Sequence, residues 1–223
     1  MTSIVFIADT HGAHREIDVP KADILIHCGD FMTHGNIGEL NDFNAWLGEL
    51  PHSKKVVCAG NHDWAMERMP KEAQALLTNC IYLQDNKAKV GDLTVYCSPW
   101  SPRFCDWAFN LDYWDAEAKW DLIYPDTDIL VTHGPPHGIL DRTREGRDVG
   151  CPFLMKKILN IRPKIHAFGH IHEGFGRVNK YGVRFVNASI MTRDYEPKNR
   201  AMLCKINSKP TQDDRVLWGT GVS

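Results

Sequence analysis

Five short blocks hold most of the side chains that could do chemistry: Asp9-Thr10-His11, Gly29-Asp30, Gly60-Asn61-His62-Asp63, Thr132-His133 and Gly169-His170-Ile171-His172. Residues two apart on an extended chain point to the same side, so Asp9 with His11, and His170 with His172, can each grip one cation. Asp30 has two carboxylate oxygens and can bridge two ions, while Asn61 and His133 add neutral oxygen and nitrogen donors. The set contains no sulfur. Such donors suit manganese, iron, zinc or cobalt in open sites, with manganese the first choice for activity, and argue against a closed structural zinc site rich in cysteine. Two divalent cations would outweigh the two anionic ligands, Asp9 and Asp30, and the surplus would attract a phosphate and a bridging hydroxide. Paired metals about 3.5–4 Å apart lower the pKa of bound water from about 15.7 towards about 7 and stabilise both the attacking and the leaving oxygen. No protein nucleophile is then required. His62 follows Asn61 at the cluster edge, where its imidazole could act as catalytic acid on a leaving alkoxide, and Asp63 could orient that imidazole.

Such scattered blocks need elements to bring them together. Each follows a short apolar stretch, at residues 3–8, 23–28, 55–59, 128–131 and 164–168, that reads as a buried parallel strand. Ligands gather beyond the carboxyl ends of strands in open α/β sheets, so these ends can form one cluster. Residues 36–50 place Ile37, Leu40, Phe43, Leu47 and Leu50 at helical spacing with polar residues between them, which predicts an amphipathic helix covering the sheet. Pro70 opens a second helix over 71–77, and 151–159 reads as a third. Residues 93–97, 183–188 and 201–206 supply further strands, and the polar tail 207–223 could dock through Val216, Leu217 and Trp218.

A chain of 223 residues suits one domain over 1–223 with a substantial core. Its 26 Lys and Arg against 28 Asp and Glu give no broad basic field, which disfavours duplex nucleic acid as a partner. The seven scattered cysteines read as reduced core thiols, and no apolar span or leader supports a membrane or secretory location, so a cytoplasmic protein is expected.

The ordered blocks resemble the calcineurin-like metallophosphoesterase superfamily. The finer stretches Gly29-Asp30-Phe31, Ser98-Pro99-Trp100, Trp107-Ala108-Phe109-Asn110, Thr132-His133-Gly134-Pro135-Pro136 and Gly169-His170-Ile171-His172-Glu173-Gly174 resemble its small metallophosphoesterase-domain branch, related to class III cyclic-nucleotide phosphodiesterases. The resemblance implies a four-layer α/β/β/α sandwich. It also implies a first metal held by Asp9, His11, Asp30 and His172, a second held by Asp30, Asn61, His133 and His170, and His62 as the acid. Protein phosphatases of the superfamily clamp a phosphomonoester dianion with two arginines. Here Gly29-Asp30 is followed by Phe31-Met32-Thr33-His34-Gly35 where the phosphatases have Asp-Arg-Gly, and Ala59 precedes Gly60, so both are missing. A singly charged diester is therefore favoured. Some members of the branch lose one histidine of the last block and are weakly active; this chain keeps His170 and His172.

Other residues carry weaker signals. His14 and His34 miss ligand spacing and suit surface or supporting roles, His27 and His166 suit the packed core, and His52 after Pro51 looks solvated. Most aromatic rings between Tyr96 and Tyr124 suit a packed cap, although one or two near Trp100 and Trp107 could form a stacking wall for a nucleobase. Arg142, Arg144 and Arg147 either make a solvated loop or supply a phosphate or ribose contact. The sequence thus points to a binuclear-metal phosphodiesterase acting on a small phosphodiester or nucleotide, with a slow or inactive nucleotide-binding scaffold that mediates protein interaction as the alternative. Oligomeric state is left open.

Overall fold

The computed structural model describes residues 1–207, so the expected docking of Val216, Leu217 and Trp218 lies outside the described residues. In chain order the elements are β1 (Thr2–Ile7), β2 (Ile24–Cys28), α1 (Ile37–Glu49), β3 (Lys54–Cys58), α2 (Trp64–Arg68), α3 (Pro70–Leu76), β4 (Ile81–Tyr82), β5 (Asn86–Val90) and β6 (Leu93–Ser98). They continue with β7 (Ser101–Pro102), β8 (Asn110–Leu111), α4 (Ala116–Asp121), β9 (Ile129–Thr132), α5 (Pro152–Ile161), β10 (Ile165–Phe168), β11 (Gly176–Lys180), β12 (Val183–Asn187) and β13 (Met202–Ile206).

Two sheets face each other, one in the order β13-β1-β2-β3-β4 and the other in the order β11-β12-β10-β9-β6-β5. Alternation along the strands explains the layering. Ile4, Phe6 and Ala8 turn inward to meet Val95, Val131 and Ala167 of the second sheet, whereas Val5, Ile7, Leu25 and Val57 turn outward beneath Leu40, Phe43 and Leu47 of α1. Trp120 of α4 and Leu154 and Ile158 of α5 cover Tyr96, Leu130 and Phe168 on the far side. The result is the expected α/β/β/α order of layers. The two sheets are sewn together where β1 ends: the Ala8 amide donates to the Ala188 carbonyl at 2.9 Å and the Ile190 amide to Ala8 at 2.8 Å.

The long helices follow their sequence signals. α1 starts one residue after Asn36, whose side chain accepts from the Glu39 amide while Glu39 reaches back, a reciprocal cap. Prolines open α3 and α5, as their fixed φ and missing N–H favour. α2 and α4, at five and six residues, are too short to show a period, and the edge strands β4, β5 and β11 are too polar or too brief. All seven cysteines are free; Cys105 is exposed and Cys80 half-buried, and the other five are buried.

Candidate metal centre

The loops leaving β1, β2, β3, β9 and β10 converge at one edge of the sandwich. Ligating atoms of Asp9, His11 and His172 lie within 4.8 Å of one another, and so do those of Asp30, His133 and His170. Asp30 sits between the two groups, its Oδ2 3.7 Å from His11 Nε2 and 3.3 Å from His133 Nε2. Asn61 Oδ1 lies 2.8 Å from His133 Nε2. The structure therefore brings together all seven expected ligands, but His170 and His172 do not form the expected pincer on one cation: the chain turns at His170, φ 69°, and sends the two rings to different groups.

Their posture is held from behind. His133 Nδ1 faces the Cys28 carbonyl at 3.2 Å and His172 Nδ1 faces the Thr192 carbonyl at 3.1 Å, so in both rings Nε2 is the nitrogen left for a cation. The His170 amide donates to both Asp9 oxygens at 3.0 and 2.9 Å, and Ser189 Oγ donates to Asp9 Oδ2. Asp9, His11, Asp30 and His170 all have positive φ, between 40° and 69°. Such strain costs on the order of 1–3 kcal/mol per residue and persists only where the surroundings enforce it. Bonds from the Asp9 amide to Gly29 at 2.9 Å and from the His11 amide to Asp30 at 3.0 Å are part of that enforcement. A Cβ on Gly60 would collide with Asp30 Oδ1, and one on Gly169 with Asp9 Oδ2, so only glycine lets these backbones approach the carboxylates.

The donor set fits a pair of cations. Both ring nitrogens of His11 are buried without a partner, a costly state that an ion would relieve. Burial lowers the pKa of His11 and takes His170 down to about 4, leaving both rings neutral as ligands must be. Burial also opposes charge on His133, yet the adjacent Asp30 carboxylate outweighs it and brings that ring up to about 10. A cation entering beside Asp30 would therefore displace a proton from His133.

His62 is half-buried beside the cluster. Its Nδ1 donates to the Thr33 carbonyl at 2.9 Å, its face stacks on Trp107 at 4.1 Å, and its edge meets His11 at 4.6 Å. The expected pairing with Asp63 is corrected. The Asp63 carboxylate is fully buried and accepts from the amides of Asp30 at 2.9 Å, Met32 at 2.9 Å and Gly60 at 2.7 Å. It braces two ligand loops, and the Thr33 carbonyl orients the imidazole instead.

A cavity of about 500 Å³ opens on the cluster, with Arg103, Phe104, Trp107, Arg147 and Tyr195 on its walls. Trp107 and Arg147 thus stand where a substrate contact was expected, whereas Trp100, Arg142 and Arg144 do not. Trp100 donates from Nε1 to Asp85 at 2.8 Å and lies under Lys119, part of the packed cap. Arg142 pairs with Asp148 at 3.0 Å, and the Arg144 amide bonds Glu173. Sequence reasoning missed Arg103, Ser189 and Tyr195. The Tyr195 ring leans on His11 and His172 at 5.2 and 5.0 Å from an irregular loop that has neither periodicity nor motif spacing. His52 also differs from expectation, being buried with Nε2 3.0 Å from the Pro20 carbonyl.

Known proteins share this frame. The family model described as calcineurin-like phosphoesterase matches residues 2–174. The human metallophosphoesterase domain-containing protein 1 is 40% identical over 224 residues, covering 89% of this chain and 69% of the human protein. One solved structure superimposes with a TM-score of 0.65 at 18% identity, covering 83% of this chain and 90% of its own. A Thermus thermophilus structure gives 0.57 at 14% identity, covering 83% and 88%.

Proposed function

Because this chain belongs to the calcineurin-like phosphoesterase family, we propose that it is a binuclear-metal phosphodiesterase acting on a small diester of nucleotide type. The observation that carries the reading is Asp30, placed within 4 Å of a histidine in each of two separate donor groups, as a bridging carboxylate must be. Asp9, His11, Asp30 and His172 would hold one ion, and Asp30, Asn61, His133 and His170 the other. When bound, such a pair supplies an acidified water and neutralises charge developing on phosphorus oxygens.

The chain's own residues complete the chemistry. The His62 ring, fixed through Nδ1, presents Nε2 to the departing oxygen, and as the imidazolium it would give that oxygen the Nε2 proton and be left neutral with Nδ1–H still on Thr33. Trp107 and Tyr195 present aromatic faces for an apolar ester group, and Arg147 places positive charge at the mouth beside Arg103, whose guanidinium is paired with Asp112. Neither position tied to the phosphatase arginine clamp carries an arginine: in Thr33-His34-Gly35 the histidine pairs with Glu39 at 3.1 Å, and Ala59 is buried. That arrangement supports preference for a singly charged diester.

The test compares bis-(p-nitrophenyl) phosphate and p-nitrophenyl phosphate with manganese, iron, zinc and cobalt in turn. We expect about two ions per chain by elemental analysis, a higher kcat/KM for the diester, and loss of most activity in Asp30→Ala. A monoester preferred with every metal, or a fully loaded protein holding one ion, overturns the reading. Nucleotide binding without turnover would instead favour the scaffold alternative.

A further inference from the structure

Each sheet carries a fully buried histidine that the reaction does not use, and both make the same unusual connection. On β2, His27 lies opposite Ile7 of β1, yet its ring reaches beyond the paired region to Thr10, with Nε2 3.0 Å from Thr10 Oγ1. On β10, His166 lies opposite Leu130 of β9, and its Nε2 is 2.8 Å from Thr132 Oγ1, two residues further on. Thr10 immediately precedes His11, and Thr132 immediately precedes His133. The two histidines occupy opposite outer faces of the sandwich, His27 among Phe31 and Phe43, and His166 among Phe168 and Phe185.

The tautomers follow from the partners. The Gly29 amide donates to His27 Nδ1 at 3.2 Å, so the proton is on Nε2 and points at Thr10. Thr132 Oγ1 donates to the Gly134 carbonyl at 2.7 Å, so it accepts from His166 Nε2–H, and His166 Nδ1 is left bare and buried. A buried polar group without a partner is costly, and one tolerated at His166 in return for a single bond marks that bond as specific. On the first sheet the bonded threonine is flanked by Asp9 and His11, both with positive φ, a backbone that needs external restraint.

We propose that His27 and His166 are positioning residues for the metal centre, His27 setting the Asp9-Thr10-His11 turn through Thr10 and His166 setting His133 through Thr132. The inference rests on the two-metal reading above and divides the labour, with one imidazole serving each ion. Neither ring touches a ligand side chain. Each fixes the backbone from which a ligand projects.

The experiment is a cobalt(II) titration of chelator-stripped protein, followed by calorimetry and visible absorption, on wild type, Thr10→Val, Thr10→Ser, Thr132→Val and Thr132→Ser. Valine keeps the shape and removes the hydroxyl; serine keeps the hydroxyl. His172→Ala and His170→Ala mark which binding step belongs to which group. Thr10→Val should raise Kd about 10-fold or more at the step lost in His172→Ala and leave the other within about 3-fold, with Thr132→Val doing the reverse. Both serine variants should bind within about 3-fold of wild type. If the valine variants lower Tm but leave both steps unchanged, or weaken both steps alike, the residues are core polar pairs and the inference is wrong. A wild type that binds fewer than two cobalt ions overturns the two-metal reading itself, and the division of labour with it.

Discussion

His62 adjoins a candidate ligand, Asn61, yet its ring is committed elsewhere, through Nδ1 to Thr33 and through its face to Trp107. If Nε2 delivers a proton to the departing oxygen, the need for it grows with the basicity of that oxygen. His62→Ala should therefore keep both ions and lose about 10²- to 10⁴-fold in kcat on a ribose-like alkoxide, but far less on an activated aryloxide. Penalties that do not change across a series of leaving groups would remove the acid role, and loss of one ion would make His62 a ligand, as its closeness to His11 and Asp30 allows. The candidate ligands were legible because each motif puts them just beyond a strand end, but their directions were not: Asp9, His11 and His170 turn through positive φ, and His170 and His172 part to different donor groups. Asp63 was misread for the same kind of reason. Neighbours in sequence need not meet in a loop, and its carboxylate turns to amides on three residues while the His62 ring turns away.

At the level of elements, α1 and the loop around Asp63 differ in how much one side chain secures. Asn36 caps a helix whose apolar face is already packed, so Asn36→Ala should cost about 1 kcal/mol. Asp63→Ala strands three buried amides that join the loop after β2 to the loop after β3, and should cost about 3 kcal/mol or more. Urea unfolding of both variants without metal checks the ranking, and equal losses would show that Asp63 is not a brace. The same contrast explains what could be read beforehand. α1 announced itself through both period and cap, whereas α2 follows Asp63 without a side-chain cap and is only five residues long. The motif strands were each recognisable as buried runs, but not their division between two sheets. Pairing partners depend on register across distant segments, and only the family resemblance supplied the sandwich.

Across the whole molecule, the candidate centre ties the two sheets together, Asp9, His11, Asp30 and Asn61 following strands of one and His133 and His170 strands of the other. Acid challenges this assembly through its buried imidazoles as well as its ligands. Burial alone takes His166 from about 6.5 down to about 3, so between those values the folded chain leaves the ring neutral while the unfolded chain protonates it. The unfolded state then binds more protons, and the contribution is complete above about pH 6.5 and lost as pH falls towards 3. Total acid sensitivity would mix this with His27, also held near 3 by burial, and with His133, which is shifted the other way. A difference between variants isolates it. In chelator-stripped protein, His166→Gln should be less stable than wild type at pH 7.5 because the bond to Thr132 is weakened. As the pH falls from 6 to 4, the gap should close by about 1.4 kcal/mol per pH unit, the slope of one proton. Urea midpoints at several pH values measure the gap directly, and one that stays constant would mean that His166 is protonated in the folded chain and is not the neutral donor its bond to Thr132 requires.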